Sequence, residues 1–317
     1  MLGRVRSRLG RSRLAGIRAR LVPPEPAPPP TPLKEAADAR APLSTLPPRA
    51  DVPFAREHVA ATYQFGVEIE GRLYNYVVYP GTGDALCVHF SAFFGDWGER
   101  AEHRDQFQGY FHRLRMFWPL REHTFVFLCD TFGADRNGTY YKGEDNDFFV
   151  ERATETIIED VRTQLGTPRD RVVALGSSMG ATVALRLALK HQYAGAVAVS
   201  PHIDLDLCAR FQGRQRHVAA LLGVEDVEAP EHFAVTREIR ELAAAVPPRP
   251  RLVLQSAEDD HGVHVEQVEP LAALWRSRGG ATLNDFRPDG GHTSDRATPE
   301  FFREAIAWCL LPSSPAE

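Results

Sequence analysis

The segment RVVALGSSMGATVALRLALKH, residues 171–191, changes from strand-like to helical periodicity across a few small residues. Its first part, residues 171–175, is rich in apolar and β-branched side chains and predicts a short buried strand. The part that follows repeats alanine and leucine at helical spacing. Between them lies a sharp turn with Ser178 at its apex, flanked at minus two and plus two by Gly176 and Gly180.

A strand that turns sharply into a helix holds its apex residue at positive φ, and neighbours without side chains relieve the crowding. This is the geometry of a nucleophile elbow, which lifts a serine hydroxyl out at the carboxyl edge of a sheet. An ordinary glycine-rich turn is the alternative interpretation. Ser177 is a poorer nucleophile candidate, because Leu175 and Met179 would then stand where small residues are needed.

Alternating strand and helix patterns extend over the chain after residue 51. Residues 62–70 and 72–79 alternate polar and apolar side chains and predict an antiparallel start. Further strands are predicted from short apolar runs, at 85–90, 124–130, 171–175, 195–200, 251–256 and 281–286. Amphipathic helices are predicted at 148–166 and around 298–311. This order predicts an α/β fold with a mostly parallel eight-stranded sheet and helices on both faces. Residues 202–250 interrupt it after the sixth strand and predict a helical insertion or cap above the carboxyl edge, where ligands bind.

A serine hydroxyl needs a base to take its proton, and the base needs an acid to orient it. His292 lies in the glycine-rich loop RPDGGHTSD after the last predicted strand. Asp259 and Asp260 end the strand before it, so the order along the chain is serine, acid, histidine. A following helix that starts near Val265 favours Asp260 as the acid, whereas counting from Ser256 favours Asp259. Asp260 is the predicted acid, with Asp259 as the alternative.

The same acidic loop contains a cluster of metal-ligand residue types: Asp259, Asp260, His261 and His264. A second ligand set is missing from the sequence around it, so the sequence predicts no metal site. Other polar and aromatic residues follow predicted strands and are weaker candidates for shaping a pocket: Asp130, Gly133, Tyr140, Tyr141 and His202.

These motifs resemble the α/β-hydrolase superfamily over most of residues 60–311: GSSMG matches the elbow, SAEDD the acid loop and GGH the histidine loop. The segments HFSAFFGDWG and CDTFGADRNGTYYKGE are also similar to a bacterial branch linked with capsule polysaccharide synthesis and accessory protein secretion. The resemblance implies that Ser178 is the nucleophile and His292 the base. It also implies two backbone donors for an oxyanion, Met179 and a residue after the third strand. Phe90-Ser91 replaces the usual His-Gly pair there, which makes Ala92 the expected second donor with Ser91 as the alternative.

The sequence therefore predicts a serine-dependent carboxylic ester hydrolase that needs no cofactor and acts on a small ester or an acylated saccharide. One alternative passes the acyl group to a sugar or another alcohol. Another is a catalytically silent α/β-hydrolase-like interaction module. Nothing in the pattern indicates a nucleic-acid partner.

The chain before residue 51 has a different composition. Residues 1–20 hold seven arginines and no acid, which leaves a net charge of −12 (−5 minus +7) on the remainder. Residues 22–50 contain ten prolines. We expect 1–50 to be a disordered basic and proline-rich tail, capable of weak contact with an anionic membrane or partner, and 51–317 to be the folded domain. Four widely spaced cysteines and no apolar run of membrane-spanning length favour a cytoplasmic location.

Overall fold

The computed structural model describes residues 43–49, 52–93, 109–293 and 297–312. The arginine-rich segment 1–20 and the proline-rich residues up to 42 lie outside the described residues, so the expectations for them stay predictions. Within the described parts of the chain, no helix is long and apolar enough to cross a membrane.

The centre of the domain is the eight-stranded sheet that the sequence predicts. Its strands are β1 Gln64–Ile69, β2 Arg72–Tyr79, β3 Leu86–Phe90, β4 Thr124–Leu128, β5 Val172–Ser177, β6 Gly195–Val199, β7 Arg251–Ala257 and β8 Thr282–Arg287. Their spatial order is β1-β2-β4-β3-β5-β6-β7-β8. The β1–β2 and β2–β4 pairs are antiparallel, and every other pair is parallel. The carboxyl ends of β3 to β8 therefore meet at one edge.

Helices cover both faces of this sheet. They are α1 Arg56–Thr62, α2 Leu114–Phe117, α3 Phe149–Leu165, α4 Met179–His191, α5 Leu205–Phe211, α6 Gln215–Leu222, α7 Phe233–Thr236, α8 Glu238–Ala245, α9 His261–Val263, α10 Glu269–Ser277 and α11 Pro299–Cys309, with a π-helical turn at His264–Val268 between α9 and α10. Four of them, α5 to α8, form the predicted helical insertion between β6 and β7. Helix α11 begins where its sequence indicates, because the Thr298 side chain accepts the Phe301 N–H and proline occupies the first turn.

The strands are buried on both faces, as their short apolar sequences predict. In β4, Val126 and Leu128 join the core under α3 and α4, while Phe125 and Phe127 join the core under α2 and α11. All four cysteines are free thiols, and three of them are buried. Burial raises the pKa of Cys87 and that of Cys208 well above the usual value of a thiol, which favours their protonated form.

Residues 43–49 differ from the expectation that the chain is an unpacked linker up to residue 50. Leu43 is buried in the core beside α3. The Arg49 guanidinium is also buried and donates to four backbone carbonyls, those of Pro80 at 3.1 Å, Phe117 at 3.0 Å, Trp118 at 3.2 Å and Leu120 at 2.8 Å. Burial lowers the pKa of Arg49 to about 10. Composition pointed to a linker, but the hydrogen bonds of one arginine attach this segment to the folded domain.

We expect Arg49→Ala to lower the free energy of unfolding by on the order of 3 kcal/mol, because buried carbonyls lose a charged donor. Urea unfolding measures the change. The matched control is Arg56→Ala, at an exposed position at the start of α1, which should stay within about 0.5 kcal/mol of the parent. Equal stabilities of the two variants would contradict the anchoring role of Arg49.

Candidate active site

The turn after β5 has the geometry that its sequence predicts. Ser178 stands between the last residue of the strand and the first of α4, with φ 50° and ψ −121°. A Cβ at Gly176 would collide with the backbone of Gly180, and one at Gly180 would collide with the carbonyl of Phe90. The two glycines are therefore required by the close approach of strand, helix and β3, and the Ser178 side chain is left half-buried.

Three side chains from separate loops are hydrogen-bonded in series. The His292 Nε2 lies 2.9 Å from Ser178 Oγ, and the His292 Nδ1 lies 2.8 Å from Asp260 Oδ2. An ionised carboxylate only accepts, so Nδ1 carries the proton and Nε2 is left to accept the serine O–H. The structure thus joins the serine, the histidine and one of the two candidate aspartates that the sequence singles out. The geometry suits proton removal from Ser178.

The two neighbouring aspartates have different hydrogen-bond partners. Asp260 is buried, and its second oxygen accepts the Gln212 Nε2–H at 2.9 Å. Asp259 is exposed and accepts the amides of Gly291 at 2.8 Å and Gly290 at 3.2 Å, which lower its pKa. Asp260 therefore contacts the imidazole, whereas Asp259 contacts the backbone of the loop that carries it.

The helix that follows these aspartates begins earlier than the expected start near Val265. Asp260 is the N-cap of α9, which begins at His261. Gln212, at the end of α5, belongs to the insertion and was not singled out by the sequence. Nothing in its local pattern marks it, because its contact with Asp260 spans 48 positions.

The backbone amides expected to bind an oxyanion differ in the hydrogen bonds that they already make. Met179 is the first residue of α4, where backbone N–H groups have no acceptor within the helix. The Ser91 N–H already donates to Tyr141 Oη at 2.8 Å and to Leu128 O at 3.2 Å. The Ala92 N–H donates to His112 Nδ1 at 3.0 Å. The Ala92 amide is therefore already paired with His112, a residue that sequence reasoning did not single out.

Of two further sequence candidates, His202 lies against the His292 ring and Tyr140 contacts His202. The ring of His202 stacks on that of His292, with centroids 4.9 Å apart and planes 14° from parallel. Its Nδ1 lies 3.1 Å from Tyr140 Oη, and both residues are buried. Burial lowers the pKa of His202 well below its usual value and raises that of Tyr140, so both side chains are neutral.

Tyr140 and Tyr141 both have positive φ, and buried polar groups hold this strained segment. The Asp130 carboxylate accepts the Thr139 amide and, at 2.8 Å, the Tyr141 amide. Arg186 of α4 donates to the carbonyls of Tyr140 at 3.1 Å and Tyr141 at 3.2 Å. The Asp130 carboxylate therefore stabilises this turn and is not directed into the site. Arg186 fixes the backbone carbonyls of the two tyrosines.

The remaining side chains of the acidic loop do not converge as metal ligands. His264 Nδ1 lies 2.8 Å from Ser256 Oγ, while Asp259 and Asp260 point to different parts of the histidine loop. Across the residues that the structure describes, no three histidine, cysteine or acidic side chains are grouped to hold a metal ion. Ser177 also points elsewhere, since its Oγ accepts from the Arg113 guanidinium.

Comparison with known proteins gives matches in one family and in several solved structures. A sequence model of the prolyl oligopeptidase family matches residues 155–311, which include all three hydrogen-bonded side chains. Curated protein sequences give no match.

Among solved structures, the capsule O-acetyltransferase of Neisseria meningitidis serogroup A is 18% identical, with a TM-score of 0.60 over 77% of this chain and 94% of that one. A variant of the same acetyltransferase has been solved in complex with CoA. The fluorophosphonate-binding serine hydrolase F of Staphylococcus aureus is 14% identical, with a TM-score of 0.56 over 78% of this chain and 98% of that one. The acylaminoacyl peptidase of Pyrococcus horikoshii is 12% identical, with a TM-score of 0.57, and the match covers 42% of its length. At these identities the likeness is one of fold.

Because Asp259 and Asp260 have different hydrogen-bond partners, we expect their substitutions to have different effects. Asp260→Asn should lower ester turnover on the order of 10⁴-fold, because an amide can donate to Nδ1 and turn Nε2 into a donor. Asp259→Asn should stay within about tenfold, since its amide oxygen can still accept the Gly291 N–H and the side chain does not contact the imidazole. Steady-state kinetics on one small ester compares them, with circular dichroism to verify the fold. A larger loss from Asp259→Asn would reverse the assignment.

Proposed function

Because this chain has the α/β-hydrolase fold and its serine, histidine and aspartate are hydrogen-bonded in series, we propose that it is a serine-dependent carboxylic ester hydrolase. The observation that carries the proposal is the hydroxyl of Ser178 at the apex of the turn, 2.9 Å from a histidine nitrogen that can accept its proton. Neither a metal nor an organic cofactor has a part in this chemistry.

The reaction proceeds through an acyl-enzyme. Ser178 Oγ bonds to the ester carbonyl carbon while His292 Nε2 takes the hydroxyl proton, and Asp260 stabilises the imidazolium that forms. The intermediate collapses as His292 returns this proton to the departing alkoxide, which leaves as an alcohol. A water molecule then attacks the acyl carbon while His292 takes one of its protons, and His292 returns that proton to Ser178 Oγ as the acid leaves.

The negative charge on the carbonyl oxygen requires backbone donors. The Met179 N–H supplies one, at the N-terminal end of α4 where the helix dipole also favours negative charge. We assign the second to Ala92, whose N–H must exchange His112 Nδ1 for the substrate oxygen. A histidine nitrogen that holds this amide in the absence of substrate keeps it from being buried without an acceptor.

A second function, acyl transfer, is supported by the fold likeness to the capsule O-acetyltransferase, which covers 94% of that protein. In this case the acyl-enzyme passes its acyl group to a sugar hydroxyl in place of water, with His292 taking the proton of that hydroxyl. We also propose that an acylated saccharide is a substrate of the hydrolase, since both reactions share one acyl-enzyme.

The fate of the acyl group separates the two functions. For the hydrolase, acid and alcohol should be released in equal amounts from a short acyl ester, and added saccharides should not change that ratio. A transferase would instead give less acid as the acceptor concentration rises, with the acyl group recovered on the saccharide. Quantifying acid, alcohol and acylated sugar by chromatography decides between them.

Ser178→Ala should abolish covalent labelling by a fluorophosphonate and lower ester turnover by roughly 10³- to 10⁶-fold, because only oxyanion stabilisation and binding remain. Ser177→Ala is the matched control one residue earlier, and it should keep activity within a few-fold. Full activity of Ser178→Ala would overturn the proposal. A folded parent protein that neither labels nor turns over esters would favour the interaction module.

A further inference from the structure

His292 belongs to a loop with little structure of its own. Gly290 and Gly291 both precede it with positive φ, and its side chain is 23% exposed. The position of the imidazole is therefore set by what contacts the ring from outside. Two of these contacts are the hydrogen bonds to Ser178 and Asp260, 2.9 Å and 2.8 Å long.

Both hydrogen bonds lie along the ring plane, because the lone pair and the N–H of an imidazole point in that plane. They fix where the two nitrogens lie but resist tilting about the line between them only weakly. A tilt moves Nε2 out of line with the serine hydroxyl, and reaction geometry is sensitive to displacements of about 1 Å. A third contact, on the face of the ring, is needed to resist it.

His202 makes this third contact, since its ring lies on the face of His292 in an offset, nearly parallel stack. We propose that His202 is a positioning residue, which stacks on the catalytic base and holds its plane in line with Ser178. The inference rests on the proposed function, and it adds a fourth side chain, from the insertion, to the three hydrogen-bonded ones.

His202 is itself held at both ends. Its backbone N–H donates to Thr182 Oγ1 at 3.1 Å, and that hydroxyl donates to the Ser178 carbonyl at 3.1 Å. Its Nδ1 is hydrogen-bonded to Tyr140 Oη, which fixes the rotation of the ring. The stacking ring is therefore attached to the same turn that presents the serine. This attachment keeps the His292 ring at a fixed position relative to the Ser178 hydroxyl.

The stack is also compatible with the charge that His292 gains in the reaction. His202 remains uncharged because burial disfavours its protonated form. A charged neighbour would oppose the positive imidazolium that forms when His292 takes the serine proton. Among the described residues, His202 Nε2 has no hydrogen-bond partner, and leaving a buried polar group without a partner carries a cost in stability. That cost indicates that stability alone does not account for a histidine here.

Two substitutions separate the stack from the hydrogen bond. His202→Asn retains a group that can bond to Tyr140 but has no ring, and it should lower kcat by roughly 10²-fold with little change in KM. His202→Phe retains a flat ring without the hydrogen bond, and it should stay within about threefold of the parent. Kinetics on a short acyl ester, with circular dichroism to verify folding, measures both. The control is His191→Asn, which removes a histidine stacked on Tyr193 at 5.5 Å at the far end of α4 and should not change kcat.

A readout that does not depend on turnover is the rate at which diethyl pyrocarbonate modifies His292. Trypsin releases residues 279–296 with His292 as their single histidine, so mass spectrometry follows this ring alone. The rate should rise several-fold in His202→Asn and match the parent in His202→Phe. Equal rates in all three proteins would overturn the positioning role, whether or not the parent hydrolyses esters. An unchanged kcat in His202→Asn, with an active parent, would overturn it as well. A parent that modifies as expected but lacks turnover would instead overturn the proposed function.

Discussion

The close contact between the start of α4 and the end of β3 is the constraint on which the rest of the site depends. Gly180 lies against the Phe90 carbonyl so closely that no side chain fits between them. This contact lets the chain reverse at Ser178 within one residue, so the hydroxyl emerges at the carboxyl edge of the sheet. It also brings the first amide of the helix and the loop after β3 to the same place, where an oxyanion would form.

The insertion between β6 and β7 is part of this site. It supplies Gln212, which binds the second oxygen of Asp260, and it begins with His202, which stacks on His292. His292 is thus held by a carboxylate from one loop, a serine from another and a ring from the insertion. A loop rich in glycine can carry this histidine because other parts of the chain fix the imidazole.

Sequence reasoning reached the serine and the histidine because each has a local signature. Ser178 lies between two glycines at a change of periodicity, and His292 follows two glycines after a strand. The choice between Asp259 and Asp260 had no such signature. It depends on a helix that begins at His261, earlier than expected, and on which carboxylate points toward the loop of His292. The hydrogen bond between the Ala92 amide and His112 could not be predicted either, since the two residues are 20 positions apart in the chain.

By itself the sequence determined the strand and helix order, the mostly parallel sheet, the turn at Ser178 and the presence of an insertion after the sixth strand. These follow from periodicity and from glycine placement, which act over a few neighbouring residues. The tertiary structure decided which aspartate meets the imidazole, which amides are already occupied, and that Arg49 lies in the domain and not in a linker. These depend on hydrogen bonds between residues far apart in the chain, whose donors and acceptors meet only after the sheet has formed.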